Sequence, residues 1–124
     1  MRFLLNSLFK KALHKEKLGD EYVEDLLDNI FKEQGISIGA GLYKIRGARK
    51  GQGKSGSYRN IFYWKKDDRI ILAFLFPKGE MENLSPKDLK GLKLLANAYR
   101  EYTDEEIDLA IKKNLLMEIK YEKL

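Results

Sequence analysis

The residues best suited to chemistry lie in one loop, Gly47-Ala48-Arg49-Lys50-Gly51-Gln52-Gly53-Lys54-Ser55-Gly56. Four glycines let the backbone come close to a ligand, and Arg49, Lys50 and Lys54 set positive charge beside exposed amides, a combination suited to phosphate. The loop sits in a wider basic region. From Gln34 to Lys66 there are eight basic residues (Lys44, Arg46, Arg49, Lys50, Lys54, Arg59, Lys65, Lys66) and no acid. The other 16 of the 24 basic residues face all 19 acids, so the net charge of +5 is concentrated in this quarter of the chain. That is the footprint expected of a site for a polyanion. Gly53-Lys54-Ser55 ends like the phosphate loop of nucleotide hydrolases, but the first glycine of that motif would fall at Ala48. The segment that follows, Tyr58 to Trp64, reads as a strand and not as the helix the motif requires. With no helix N-terminus to face a phosphate, nucleotide hydrolysis is set aside.

Several other classes are excluded by composition. The chain has no cysteine, hence no disulfide scaffold, thiolate metal site or cysteine nucleophile. Its single histidine, His14, leaves neither a histidine-cluster zinc site nor a Ser-His-Asp triad; no metal or other cofactor is expected. The N-terminus lacks the continuous apolar core and small-residue cleavage site of a secretion signal, and no stretch is long enough to cross a bilayer. A cytoplasmic protein with no membrane partner is expected. At 124 residues, one domain spanning 1–124 is the natural reading.

The elements that must hold the basic region can be read from periodicity. Leu4, Leu5, Leu8, Phe9, Ala12 and Leu13 form a helical stripe and predict a first helix over about residues 3–15. Asp20 is a plausible N-cap for a second, with Tyr22, Val23, Leu26, Leu27, Ile30 and Phe31 as its buried stripe and Gly35 as its stop. The period then changes to two, predicting strands over Leu42–Ala48, Ser57–Lys66 and Arg69–Lys78. Asp67-Asp68 is read as a simple turn. Ile70 to Phe76 is almost continuously apolar and belongs at the centre of the sheet, buried on both faces. Ser85-Pro86-Lys87-Asp88 opens a further helix, and Thr103-Asp104-Glu105-Glu106 has the form of a capping box for another. The tail around Met117 to Tyr121 alternates and suits an edge strand. The class is α+β.

Alternation puts Lys44 and Arg46 on one strand face, with Tyr43 and Ile45 on the other. Arg59 shares a face with Ile61 and Tyr63, while Tyr58, Asn60, Phe62 and Trp64 point the opposite way. Which face is core stays open from sequence. Phe62 and Trp64 read as core; Tyr58 could pack inside or stack on an RNA base.

In these residues the chain resembles the RelE/HigB toxins of type II toxin–antitoxin systems, within the wider RelE/ParE superfamily. The resemblance is carried by Gly41-Leu42-Tyr43-Lys44-Ile45-Arg46, by Gly51-Gln52-Gly53-Lys54-Ser55-Gly56-Ser57-Tyr58-Arg59, and by Phe76-Pro77-Lys78-Gly79-Glu80 with Asn83-Leu84. It runs over almost the whole chain and is closest to a subgroup with a Gly-Lys-Ser-Gly loop before a Tyr-Arg strand. It implies two N-terminal helices packed on a small antiparallel sheet whose other face binds RNA, followed by C-terminal helices and an edge strand. It also implies a ribosome-dependent, metal-independent messenger-RNA endonuclease, in which a ribose 2′-oxygen attacks the adjacent phosphate. By motif, Lys44 and Arg46 match the paired basic residues of the family's first strand and Arg59 the arginine of its Tyr-Arg strand. Lys54, Lys78 and Glu80 complete the catalytic candidates, the last two for proton transfer or phosphate contact, with Arg49, Lys50, Tyr58 and Lys65 as candidate RNA contacts. Arg59 would clamp the phosphate. Arginine stays protonated, which leaves Lys44 or Lys54 as the basic-residue proton acceptor. The chain departs from the pattern at Gly79, where the ribonucleases carry an arginine, and at Leu84-Ser85, near where they carry a tyrosine. The implied partners are messenger RNA on the ribosome and a cognate antitoxin of helix-turn-helix type, with DNA reached only through that antitoxin. The alternative is a non-catalytic RNA- or ribosome-binding module on the same fold, or a toxin acting on another target such as gyrase.

Overall fold

The computed structural model describes residues 1–48, 57–79 and 84–122. Among these the elements run β1 (Arg2–Asn6), α1 (Ser7–Lys15), α2 (Asp20–Glu33), β2 (Ile36–Gly39), β3 (Leu42–Ala48), β4 (Ser57–Lys65), β5 (Arg69–Pro77), α3 (Pro86–Glu101), α4 (Asp104–Lys112) and β6 (Leu116–Glu118). The strands form one sheet in the order β2-β3-β4-β5-β1-β6. Only β1 and β5 pair in parallel; the other neighbours are antiparallel. The fold is α+β, as expected. No helix among the described residues is long and apolar enough to cross a membrane.

The start of the chain corrects the reading of one helix over 3–15. Residues 2–6 are a strand, and the helix begins only at Ser7. Phe3 and Leu5 are buried on one side of the sheet and Leu4 on the other, the period-two pattern of a strand covered on both faces. Asn6 ends the strand and caps the helix, its Oδ1 accepting from the Phe9 amide at 2.9 Å. Helix α2 starts at the expected place, but its N-cap is Gly19, without a side-chain cap bond, and not Asp20.

Two cores lie on opposite sides of the sheet. Helices α1 and α2 cover one, over Phe3, Leu5, Ile45, Tyr58, Phe62, Ile70, Leu72 and Leu75. The other holds Leu92, Ala96 and Tyr99 of α3 with Ile107 and Ala110 of α4, over Leu4, Leu42, Ile61, Tyr63, Ile71 and Ala73. The second layer is therefore not left open, as the resemblance implied, but is covered by α3 and α4 over much of its area. β5 runs centrally between β4 and β1, and Ile70, Ile71 and Leu72 are fully buried.

Buried polar contacts fix the second layer. Arg69, 3% exposed, donates from Nη1 to the carbonyls of Tyr99 and Tyr102 at 2.9 and 2.8 Å, and from Nε to Asp68 at 2.6 Å. This ties the end of α3 to the β4–β5 turn, and the Arg69 guanidinium holds the Asp68 carboxyl below the usual carboxylate range. At the far edge Arg2 meets Asp108 and Glu118 at 2.7 and 2.8 Å and Asp104 at 3.5 Å, joining β1, α4 and β6. The two capping motifs appear as read: Ser85 accepts from the Asp88 amide, and Thr103 with Glu106 completes a capping box.

Candidate functional site

Among the described residues, no helix covers one end of the second layer, where β3, β4 and β5 reach beyond α3. The β3–β4 register sets Arg46 opposite Arg59 and Lys44 opposite Ile61. Directly opposed side chains in an antiparallel pair have Cβ atoms about 5 Å apart, so two guanidinium-bearing residues share one patch with Lys44 two residues along. Arg46 is exposed; Lys44 and Arg59 are half-buried. Beside them Lys44, Arg59, Ile61, Phe76, Ile38, Leu84 and Leu89 line a cavity of about 150 Å³. Its floor is apolar and its charge comes from Lys44 and Arg59.

A β-bulge decides which β5 residue reaches this groove. The β4–β5 register shifts between Ile61 and Phe62, so that Ala73 is the extra residue and Phe74 and Phe76 fall opposite Ile61 and Arg59. Unbulged pairing would have turned Phe76 to the other face. The strand pair is held from beneath by Asn60, which is fully buried. Its Nδ2 donates to the Ile45 carbonyl at 3.2 Å, and its Oδ1 accepts from the Tyr22 hydroxyl at 2.8 Å. Burial pushes the Tyr22 phenol up, which keeps it protonated as that donor. Gly47 leaves room for this pair, since a Cβ there would collide with the Tyr22 hydroxyl and come within 2.9 Å of Asn60 Nδ2.

The electrostatics separate two kinds of arginine. Arg2 and Arg69 are bound to carboxylates, and Arg100 donates to Ala40 O and Asn97 Oδ1. Among the described residues neither Arg46 nor Arg59 has such a partner, and no carboxylate pairs with Lys44. Like charges placed directly opposite each other on a sheet are destabilising. A patch with no carboxylate partner for them among the described residues is suited to an oxyanion with several acceptor oxygens, which planar guanidinium groups bind in bidentate fashion. The described residues include no group of three or more His, Cys, Asp or Glu that could hold a metal ion.

Of the residues singled out in the sequence, Lys44, Arg46 and Arg59 come together here. Lys78 is exposed just past β5, its amide donating to the Ser57 carbonyl at 3.0 Å, so it lies at the same end of the sheet. Lys54, Glu80, Arg49 and Lys50 lie outside the described residues. One expectation needs correction, and Lys65 stands apart from the patch. Tyr58 does not face the patch as a base-stacking residue: it is 5% exposed in the α1–α2 core, edge-on to Tyr22 with centroids 5.8 Å apart. Lys65 is at the opposite end of β4, about 20 Å from Arg59 at the usual rise per strand residue, with its Nζ 3.5 Å from the Arg100 carbonyl. Gly79 has φ +107°, in the region that favours glycine, so its backbone would be strained by any side chain, an arginine included.

The Tyr22–Asn60 pair and the apolar groove were not found from sequence. Asn60 did carry a signal, as a poor strand former amid aromatic and β-branched neighbours. The groove carried none, because Ile38, Phe76 and Leu89 come from three separate elements.

A family model described as the RelE toxin of the RelE/RelB toxin–antitoxin system matches residues 1–119. The chain belongs to this family; it is a toxin of a toxin–antitoxin system, with a cognate antitoxin as its partner.

Proposed function

We propose that this RelE-family toxin is a metal-independent endoribonuclease that cleaves messenger RNA on the ribosome and so stops translation. The observation that supports this most directly is the opposition of Arg46 and Arg59 across β3–β4, with Lys44 beside them and no carboxylate paired to any of the three among the described residues. The two guanidinium groups hold the scissile phosphate and stabilise the charge that builds on its oxygens as the ribose 2′-oxygen attacks phosphorus. The bond from phosphorus to the 5′-oxygen breaks, leaving a cyclic 2′,3′-phosphate and a free 5′-hydroxyl. Lys44 or Lys54 takes the 2′ proton, and Lys78 or Glu80 delivers a proton to the leaving oxygen. Arg49 and Lys50 are further contacts to the RNA.

A second reading is favoured by one observation. Gly79 stands in a conformation unsuited to the arginine that RelE-type ribonucleases carry there. On that reading the chain binds RNA or the ribosome without cutting, or acts on another target. The test is induced expression in growing cells of the wild type beside an Arg59→Ala, Lys54→Ala double variant, with messenger-RNA 5′ ends mapped. New 5′-hydroxyl ends inside coding regions for the wild type alone support the nuclease. Growth arrest without such ends supports the second reading.

A further inference from the structure

We infer that helix α3 carries a phosphate-contacting rail, along which the RNA strand held at Arg46 and Arg59 continues away from the site; this rests on the RNA reading of that pair. Leu89, Lys93, Asn97 and Arg100 are spaced by four, four and three residues and so share one face of the helix. The structure fixes that face along the β2–β3 edge of the sheet. Leu89 lines the groove with Lys44 and Arg59. The Lys93 ammonium lies against the β2–β3 turn, 3.3 Å from where a Gly39 Cβ would be. Arg100 Nη2 donates to the Ala40 carbonyl at 2.7 Å, and Lys65 Nζ reaches the Arg100 carbonyl at 3.5 Å. Lys44, Lys93, Arg100 and Lys65 thus follow one another from the groove to the far end of β4, and exposed Lys90 stands beside Lys93. Measured from Arg59, at the usual rise per strand residue, the path to Lys65 is about 20 Å, the length of several nucleotides.

The charge on this path is not that of an ordinary solvated helix. Such a face mixes signs and pairs Lys with Glu or Asp three or four residues away. Lys87, Lys90 and Lys93 follow at intervals of three, with no acid at a pairing distance from Lys90 or Lys93. The two carboxylates of α3, Asp88 and Glu101, fall outside the stripe, and no carboxylate pairs with Lys44, Lys65, Lys90 or Lys93 among the described residues. Mutual repulsion along a helix, continuous with a cationic groove, is relieved by a ribose–phosphate backbone.

The rail is tested with the full chain and uncleavable 2′-O-methyl oligonucleotides, three and twelve nucleotides long, by anisotropy titration over a range of salt. A Lys90→Gln, Lys93→Gln variant should melt like the wild type and bind the three-mer equally well. It should lose roughly tenfold in twelve-mer affinity, and its log–log salt slope should shrink by about 1.4 for two lost contacts on a single strand. One twelve-mer should bind per chain. Unchanged binding of both probes, an equal loss for both, or two twelve-mers per chain would overturn the rail. An Arg46→Ala, Arg59→Ala variant should weaken both probes. If it weakens neither while the lysine variant keeps its length-dependent loss, it is the reading of the Arg46–Arg59 site that fails, and the rail as a continuation of that site falls with it; loss of the length dependence alone overturns the rail and leaves the site.

Discussion

Arg46 and Arg59 are Cα partners across the β3–β4 ladder, and no carboxylate among the described residues pairs with either. The pair costs stability in the free protein, because directly opposed like charges repel. An Arg46→Glu substitution replaces that repulsion with a cross-strand ion pair. It should raise the unfolding free energy by up to about 1 kcal/mol while lowering RNA cleavage at least 100-fold, the scale of a lost oxyanion contact. Urea denaturation and a cleavage assay on the same preparation check both halves.

The platform beneath the site depends on a buried pair. Asn60→Ala removes the acceptor of the Tyr22 hydroxyl and the donor to the Ile45 carbonyl. It should cost about 2–3 kcal/mol, as expected when buried polar groups lose their partners. Tyr22→Phe removes one bond only and should cost less. The two changes made together should cost less than their sum, which a double-mutant cycle in urea measures.

Tyr58 packs in the core that α1 and α2 cover. Tyr58→Leu should therefore lower the melting temperature, by the loss of a buried ring, yet leave the cleavage rate within about twofold below that temperature. A loss of cleavage far beyond the loss of folded protein would return Tyr58 to the RNA surface.

Asp68 and Arg69 give a pH dependence of known sign. The Asp68 carboxyl is held low in the folded state by Arg69, so its contribution is present above the unfolded carboxylate value of about 3.9. That contribution is lost as pH falls through the lower, folded value. Between about pH 5 and pH 2, Asp68→Asn should flatten the fall in stability compared with the wild type. Thermal melts over that range read the difference.

Much of this was legible in the sequence. The edges of β3, the start of α3 at Ser85 and the capping box at Thr103 came from local rules of alternation and capping, which act over a few residues. The first strand was not legible, because Leu4, Leu5, Leu8, Phe9, Ala12 and Leu13 satisfy a helical period across its boundary. Only pairing with β5, more than sixty residues away, and with β6, more than a hundred away, makes Phe3 to Leu5 a strand. Lys44 and Arg46 were legible as one strand face by alternation, and Arg59 through the motif it shares with the family, but the opposition of Arg46 and Arg59 rests on the β3–β4 register, which alternation alone does not give. Tyr58 was not legible, since the choice of core face depends on which helices cover it. Lys65 stands apart from the patch for a related reason: a charge run in sequence becomes a distance along a strand.

On the proposed function, the Arg46–Arg59 pair stabilises the phosphate in flight. The direct measurement is single-turnover cleavage of a messenger RNA bound to purified ribosomes by the wild type, Arg46→Ala, Arg59→Ala and the double variant, with product ends identified. The account predicts 5′-hydroxyl and cyclic-phosphate ends, a loss of about 100-fold or more for each single variant, and unchanged ribosome binding at saturating protein. Cleavage by the double variant at the wild-type rate, or no cleavage by the wild type on a fully bound ribosome, would contradict it.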